Sequence, residues 1–288
     1  MLEGGMSQTA TTMTARRDTF LRTVAERRSL MGILNVTPDS FYDGGKFTRE
    51  GAMLAQVEAM LEEGAAVIDV GGMSSRPGAE VVTPEEELRR VMPAIHAILR
   101  RFPDAILSID TVQSRVAREA VQAGAAIVND ISAARFDEKM YEETAKLGAP
   151  YILMHMQGTP GDMQQQPEYE DVVREVLDFF IAEVGKLRQA GVKDIVLDPG
   201  FGFGKTVEHN YRLLRDMHVF RILDCPILAG LSRKSMINKV LRVPPDRALN
   251  GTTALNMVAL QQGARILRVH DVRPAVETIK LWAQLESL

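Results

Sequence analysis

The residues with the most chemistry in them fall in short clusters, each directly after a run of branched aliphatic residues. In order these are Asn35-Val-Thr-Pro-Asp39, Asp69-Val-Gly-Gly72, Asp110-Thr111, Asn129-Asp130, His155, Asp198-Pro-Gly200, Ser232-Arg-Lys234 and Arg268-Val-His270. A single aspartate after a strand is often only a helix cap. The set as a whole describes a polar pocket for a small molecule, provided the fold brings the clusters to one mouth. Asp110, Asn129 and Asp198 supply carboxylate and amide groups that burial obliges to find partners. A flat heterocycle with an amidine-like edge would provide them.

Arg268 and His270 alternate across Val269 and so point the same way at a strand end. Two donors in that relation suit a phosphate group; taken alone they also read as a surface arginine and a structural histidine. Ser232-Arg-Lys-Ser235 opens a helix whose free amides, with Lys234, favour an anion. Gly200-Phe-Gly-Phe-Gly204 is glycine-rich but lacks the spacing of a nucleotide phosphate loop. Its two aromatics fit a wall for an aromatic ring. There is no Ser-His-Asp or Cys-His arrangement, and the only cysteine, Cys225, reads as a small packing residue.

The elements that must position these clusters are eight short apolar runs, at 30–35, 66–70, 106–110, 126–129, 150–155, 194–197, 226–230 and 265–269. Each is continuous and rich in Ile, Val or Leu, the pattern of strands buried on both faces. Amphipathic stretches lie between them. Met53, Leu54, Val57, Met60 and Leu61 share one helical face closed by Gly64. Val172, Val176, Phe180, Val184 and Leu187 repeat the pattern before Gly191, and Thr83-Pro-Glu-Glu86 is a capping box with proline at the first helical position. Pro93 is expected to kink its helix. The alternation predicts an α/β fold, a single-domain TIM (β/α)8 barrel over residues 29–288, with its active face at the C-terminal strand ends. An open doubly wound sheet is the alternative. Residues 1–28 read as a partly disordered lead-in without the apolar core of a signal peptide.

The 288 residues carry 34 basic and 38 acidic side chains, a formal charge of −4. No basic excess points to nucleic acid or to an anionic membrane surface. No apolar run is long enough to cross a membrane, and the cysteine usage fits a cytoplasmic setting. Two loops rich in small residues, 37–48 and 71–83, are expected to be mobile without ligand and to close over the mouth.

Met31-Gly-Ile-Leu-Asn-Val-Thr-Pro-Asp-Ser-Phe41 resembles the signature of the dihydropteroate synthase family. So do Gly71-Gly-Met-Ser-Ser-Arg-Pro-Gly78, Ser108-Ile-Asp-Thr111, Leu197-Asp-Pro-Gly-Phe-Gly-Phe-Gly-Lys205, Gly230-Leu-Ser-Arg-Lys-Ser235 and Arg268-Val-His-Asp-Val272, in the family's order. The resemblance implies that a pterin pyrophosphate is joined to p-aminobenzoate, in an enzyme that is commonly a homodimer. Asp110, Asn129, Met154, Asp198 and Lys234 would hold the pterin. Asn35 would meet the pyrophosphate, through Mg²⁺ where that metal is bound, and Arg76, Arg268 and His270 would bind the pyrophosphate itself. Phe41, Ser75, Pro77, Phe203, Lys234 and Ser235 would form the p-aminobenzoate pocket, and Asp43 would face the reacting methylene. Met73, Ser75 and Tyr42 depart from the usual Glu, Thr and Ser. These changes are expected to alter loop packing and to leave the pterin floor untouched. Two other readings share that floor: a methyltetrahydrofolate:corrinoid methyltransferase-like enzyme, and a pterin-binding protein without turnover. The former has no need of a pyrophosphate site.

Overall fold

The computed structural model describes residues 3–36, 46–73, 82–158 and 167–287, with side chains described from residue 13 and, after the first strand, from residue 50. Eight strands pair in parallel, each with the next and the last with the first, to close a barrel. They are β1 (Ser29–Asn35), β2 (Val67–Gly71), β3 (Leu107–Asp110), β4 (Ile127–Asp130), β5 (Tyr151–Met154), β6 (Ile195–Asp198), β7 (Ile227–Ala229) and β8 (Ala264–Val269). The helices are α1 (Glu3–Glu26), α2 (Lys46–Glu63), α3 (Pro84–Arg101), α4 (Ser114–Gln122), α5 (Met140–Leu147), α6 (Val172–Ala190), α7 (Val207–Arg215), α8 (Ser235–Leu241), α9 (Leu249–Gln261) and α10 (Val272–Glu286). The closed barrel is favoured over the open sheet because eight short strands, apolar on both faces, need cover inside and out.

The core has three parts. Outward strand residues such as Leu34, Ile68 and Leu107 pack against helix residues such as Val57, Ile95 and Phe180. Met31, Val67, Ile127, Ile152, Val196, Leu228 and Ile266 fill the barrel's interior together with Phe20 and Val24 of α1. Met73, Val112, Ile131, Met154, Met156 and Phe203 form a third, separate cluster. The helix signals operate as the sequence indicates. Thr83 Oγ1 accepts from the Glu86 amide at 3.3 Å, and the helix it caps runs through Pro93.

The N-terminal segment differs from the expected loose lead-in: residues 3–26 are helical. Phe20 and Val24 are buried against the lower barrel layer. Arg16 donates to the carbonyls of Pro103 and Gly124 at 2.5 and 3.2 Å, and Arg17 to that of Gly148 at 3.3 Å. The helix thus plugs the end of the barrel opposite the polar clusters. Its apolar contribution comes from only a few residues, which is why the segment reads as polar and unstructured.

Candidate active site

Strand register brings the polar clusters together. Asn35 pairs with Gly71, Gly71 with Asp110 and Asp110 with Asn129, so four neighbouring strands end on one level. Met154 pairs with Asp198 on the adjacent strands β5 and β6. A side chain at Gly71 would meet Asp110 Oδ2 and Asn35 Oδ1, each 3.7 Å from its Cβ. The glycine therefore leaves those two groups facing a common space.

Arg268 extends across this space. Its Nε donates to Asp69 Oδ2 at 2.7 Å and one terminal nitrogen to Asp110 Oδ2 at 2.7 Å. The same Asp69 oxygen accepts from Asn129 Nδ2 at 3.0 Å, while Asp69 Oδ1 is buried without a hydrogen bond among the described residues. Two carboxylates raise the guanidinium's proton affinity, although burial opposes them. Burial pushes Asp110 up to about 7, against the pull of Arg268. Two of the guanidinium's five N–H groups are committed to carboxylates, which leaves donors for an anion.

The opposite wall is built on β6 and the turn after it. Asp198 is buried, and its Oδ1 accepts from the Gly200 amide at 2.8 Å. Burial raises its proton affinity and Lys234 lowers it. Gly200 has φ +68°, and a Cβ there would collide with the His155 carbonyl oxygen at 1.9 Å; only glycine allows this approach. Lys234 Nζ donates to the Phe201 carbonyl at 2.6 Å and lies 4.6 Å from the centre of the Phe203 ring. Burial lowers the Lys234 ammonium to about 8, with Asp198 opposing the shift. Phe203 lies in the mouth cluster with Met154, whereas Phe201 is buried in the strand–helix core. The glycine-rich turn thus offers one aromatic to the mouth, not two.

His270 lies just beyond β8 at the exposed rim. Ser232 Oγ is 3.0 Å from its Nδ1 and accepts from its backbone amide at 3.2 Å. Nε2 is therefore the ring nitrogen left to face an anion. Ser235 opens α8 and is exposed. Arg233, between them in sequence, turns away at φ +57° and holds Asp271 at 2.8 Å through two nitrogens. Phe41, Asp43, Tyr42, Ser75, Arg76 and Pro77 lie outside the described residues, as does most of both expected closing loops.

Met73 is buried in the same cluster as Met154 and Phe203, so its packing reaches beyond the loop that carries it. An unbranched thioether fills such a space without a hydrogen-bond requirement. Three further residues shape the site, although the sequence assigns them no individual role. Asp69 holds Arg268 and Asn129, and Ser232 orients His270. Lys205 is buried, with Nζ at 2.9 Å from His155 Nδ1, 3.0 Å from the Gly200 and Phe203 carbonyls and 3.3 Å from that of His155. Asp69 and Ser232 stood within the polar clusters, so their positions carried a signal. Lys205 ends the glycine-rich motif, but nothing in that motif marks its side chain as buried.

The barrel and this mouth suit a class of enzyme that would hold a flat polar heterocycle beside an anion. The sequence matches the family described as pterin binding enzyme over residues 31–270. The dihydropteroate synthase of Haemophilus influenzae is 47% identical over 255 residues, covering 88% of this chain and 92% of its own length. The Yersinia pestis dihydropteroate synthase, solved with a sulfonamide drug, superposes with a TM-score of 0.86 at 43% identity, covering 92% of this chain and 96% of that one. The Xanthomonas albilineans enzyme, solved with 4-aminobenzoic acid, gives 0.85 at 42% identity, covering 91% and 94%. The chain belongs to the pterin-binding enzymes and, within them, to the dihydropteroate synthases.

Proposed function

We propose that this chain condenses 6-hydroxymethyl-7,8-dihydropterin pyrophosphate with p-aminobenzoate, giving 7,8-dihydropteroate and pyrophosphate. One observation carries the reading: Arg268 spans the mouth between Asp69 and Asp110 with donors to spare, beside the buried carboxylate of Asp198. That arrangement suits a molecule that is donor-rich at one end and anionic at the other.

Asp198, Asn129, Asp110 and Lys234 would hold the pterin edge, with Met154 against the ring face. Asp198 Oδ1 is taken by the Gly200 amide, so Oδ2 is the oxygen offered to pterin N–H groups. The pterin ring can delocalise positive charge from its methylene as the C–O bond to pyrophosphate breaks. The p-aminobenzoate nitrogen then forms the new C–N bond and loses a proton. Pyrophosphate departs with the electron pair of the broken bond. Arg268, His270 and Arg76 would stabilise that charge. Asp43 would face the methylene, and the two loops would exclude water.

A magnesium ion fits as a companion of the pyrophosphate more than as a resident of the protein. Among the described residues no group of three His, Cys, Asp or Glu side chains could hold a metal. The Asn35 side-chain carbonyl faces the mouth beside Asp110. A single neutral oxygen suits an ion that keeps most of its shell as water and phosphate. Bound there, Mg²⁺ would neutralise charge on the leaving group.

Phe203, Lys234 and Ser235, with Phe41, Ser75 and Pro77, would receive p-aminobenzoate, its carboxylate toward the amides that open α8. The Xanthomonas albilineans relative solved with 4-aminobenzoic acid supports this. A homodimer and a cytoplasmic setting belong to the same reading. Leu281 and Leu285 support the dimer, as exposed apolar side chains one turn apart on α10.

Calorimetry tests the proposal at the site. Pterin pyrophosphate should bind more tightly than the pterin alcohol, and Arg268→Ala should remove most of that difference. If Arg268→Ala weakens both ligands equally, the anion end of the site is wrongly placed.

A further inference from the structure

The barrel's other end holds a second concentration of positive charge. A cavity of about 190 Å³ is lined by Arg28, Arg221, Arg265, Gly263, Trp282 and Glu286, among others. Arg28 directly precedes β1, and Arg265 is the second residue of β8. Ser29 pairs with Ile266, so the two arginines stand one step before that pair, side by side on adjacent strands. Like charges in such a relation repel. Arg221 comes from the 3-10 turn Met217–Leu223. Its stem crosses Gly263, which has φ +101° and where a Cβ would lie 3.0 Å from Arg221 Cδ. The 3-10 turn between α7 and β7 thus delivers the third guanidinium to the same cavity, over the glycine that joins α9 to β8.

Among the described residues a single carboxylate offsets part of this group's charge. Three guanidiniums meet one carboxylate, Glu286, and none of the three forms an ion pair within 4 Å among the described residues. Arg28 lies 4.3 Å from the centre of the Trp282 ring, so the aromatic face is already covered. Arg28 Nε and Trp282 Nε1 are buried donors without a hydrogen-bond partner. Arg265 makes one long contact, to the Ala25 carbonyl at 3.5 Å. Burial and the two neighbouring arginines all lower the proton affinity of Arg28. This positive excess sits in a chain whose formal charge is −4.

We propose that the cavity bounded by Arg28, Arg221, Arg265 and Trp282 binds a phosphate-class oxyanion, at a site separate from the reaction mouth. Guanidinium forks match tetrahedral oxyanions, and the unpartnered N–H groups supply further donors. The occupant is free phosphate or the pyrophosphate that the mouth releases; both present the same oxygens. The site itself does not depend on the proposed reaction, because its test reads binding and stability only; calling pyrophosphate the product rests on that reading.

The experiment titrates inorganic phosphate, and separately pyrophosphate, into the wild-type protein and an Arg221→Ala, Arg265→Gln double variant. The mouth is identical in both proteins, so any difference belongs to the second site. The wild type is expected to show one additional binding event, weakened at least about ten-fold in the variant. A tighter response to pyrophosphate identifies the product as occupant, and a tighter response to phosphate identifies the free ion. Arg221→Ala alone offers a control that should fold, since Arg221 is exposed. In phosphate-free buffer it should raise the thermal midpoint by removing one of three like charges, and added phosphate should raise the wild-type midpoint more than the variant's. Equal stoichiometry and affinity for both anions in wild type and double variant would overturn the proposal.

Discussion

Arg268 on β8 and Asp69 on β2 meet at 2.7 Å across the barrel mouth, with the aspartate buried and one of its oxygens also holding Asn129. The strands that carry them are separated by β1, so the pair fixes the arginine's reach by bridging over a strand. A free arginine would have to be ordered by the substrate. Here that ordering is already in place, which favours transition-state charge stabilisation over mere binding.

Replacing Asp69 with Asn tests this relationship. The variant keeps the shape but loses the charge and leaves Arg268 on Asp110 alone. Loss of one well-formed buried polar partner costs about 1–3 kcal/mol, and urea denaturation should show a loss in that range. Turnover should fall further than pterin affinity, because the pterin edge keeps Asp198. Unaltered turnover in Asp69→Asn would mean that Arg268 needs no such support.

Pterin affinity should depend on pH at both limbs. Asp110 is raised to about 7 by burial, and its charged form is the better acceptor for pterin N–H groups. Affinity should therefore fall as pH drops through that value. Lys234 is lowered to about 8 by burial, and its charged form is the better donor. Affinity should fall again as pH rises through that value. Asp110→Asn should abolish the acid limb and preserve the alkaline one. Calorimetry with the pterin alcohol across both values checks this, and an acid limb that persists in Asp110→Asn would assign it elsewhere.

Lys205 should prove to be a positioning residue. Its side-chain nitrogen ties together the carbonyls of His155, Gly200 and Phe203, which shape the turn behind Asp198 and Phe203. Lys205→Met keeps the stem and abandons those acceptors, at roughly 1–3 kcal/mol for a buried unsatisfied group. Steady-state kinetics should show KM for p-aminobenzoate rising more than KM for the pterin substrate, since Phe203 is proposed to face p-aminobenzoate. Equal effects on both would leave Lys205 a purely structural residue.

The barrel was legible because its strands are short, continuous and aliphatic, and each ends in a polar cluster. Register then follows: Asn35, Gly71, Asp110 and Asn129 share one level. What the sequence hid depends on partners far away in the chain. Asp69 reads as one more strand-end acid until Arg268 arrives from a strand 199 positions on. Met73 reads as a loop residue, yet it closes an apolar cluster with Met154 and Phe203. The first helix is hard to read because a few apolar residues in a polar segment give no strong periodic signal, although two of them plug the barrel.

That plug is testable. Phe20→Ala removes a large buried side chain, and such deletions cost about 3–5 kcal/mol. Denaturant unfolding should show a loss of that order. A loss below about 1 kcal/mol would mean that α1 rests on the barrel without contributing to it.

The central claim is that this mouth couples departure of pyrophosphate to capture by an arylamine. The most direct measurement follows pyrophosphate and dihydropteroate together in one reaction mixture. The account predicts equal amounts of both, with neither formed when pterin pyrophosphate or p-aminobenzoate is left out. Pyrophosphate released at the same rate without p-aminobenzoate, or pterin bound with no dihydropteroate formed, would contradict it.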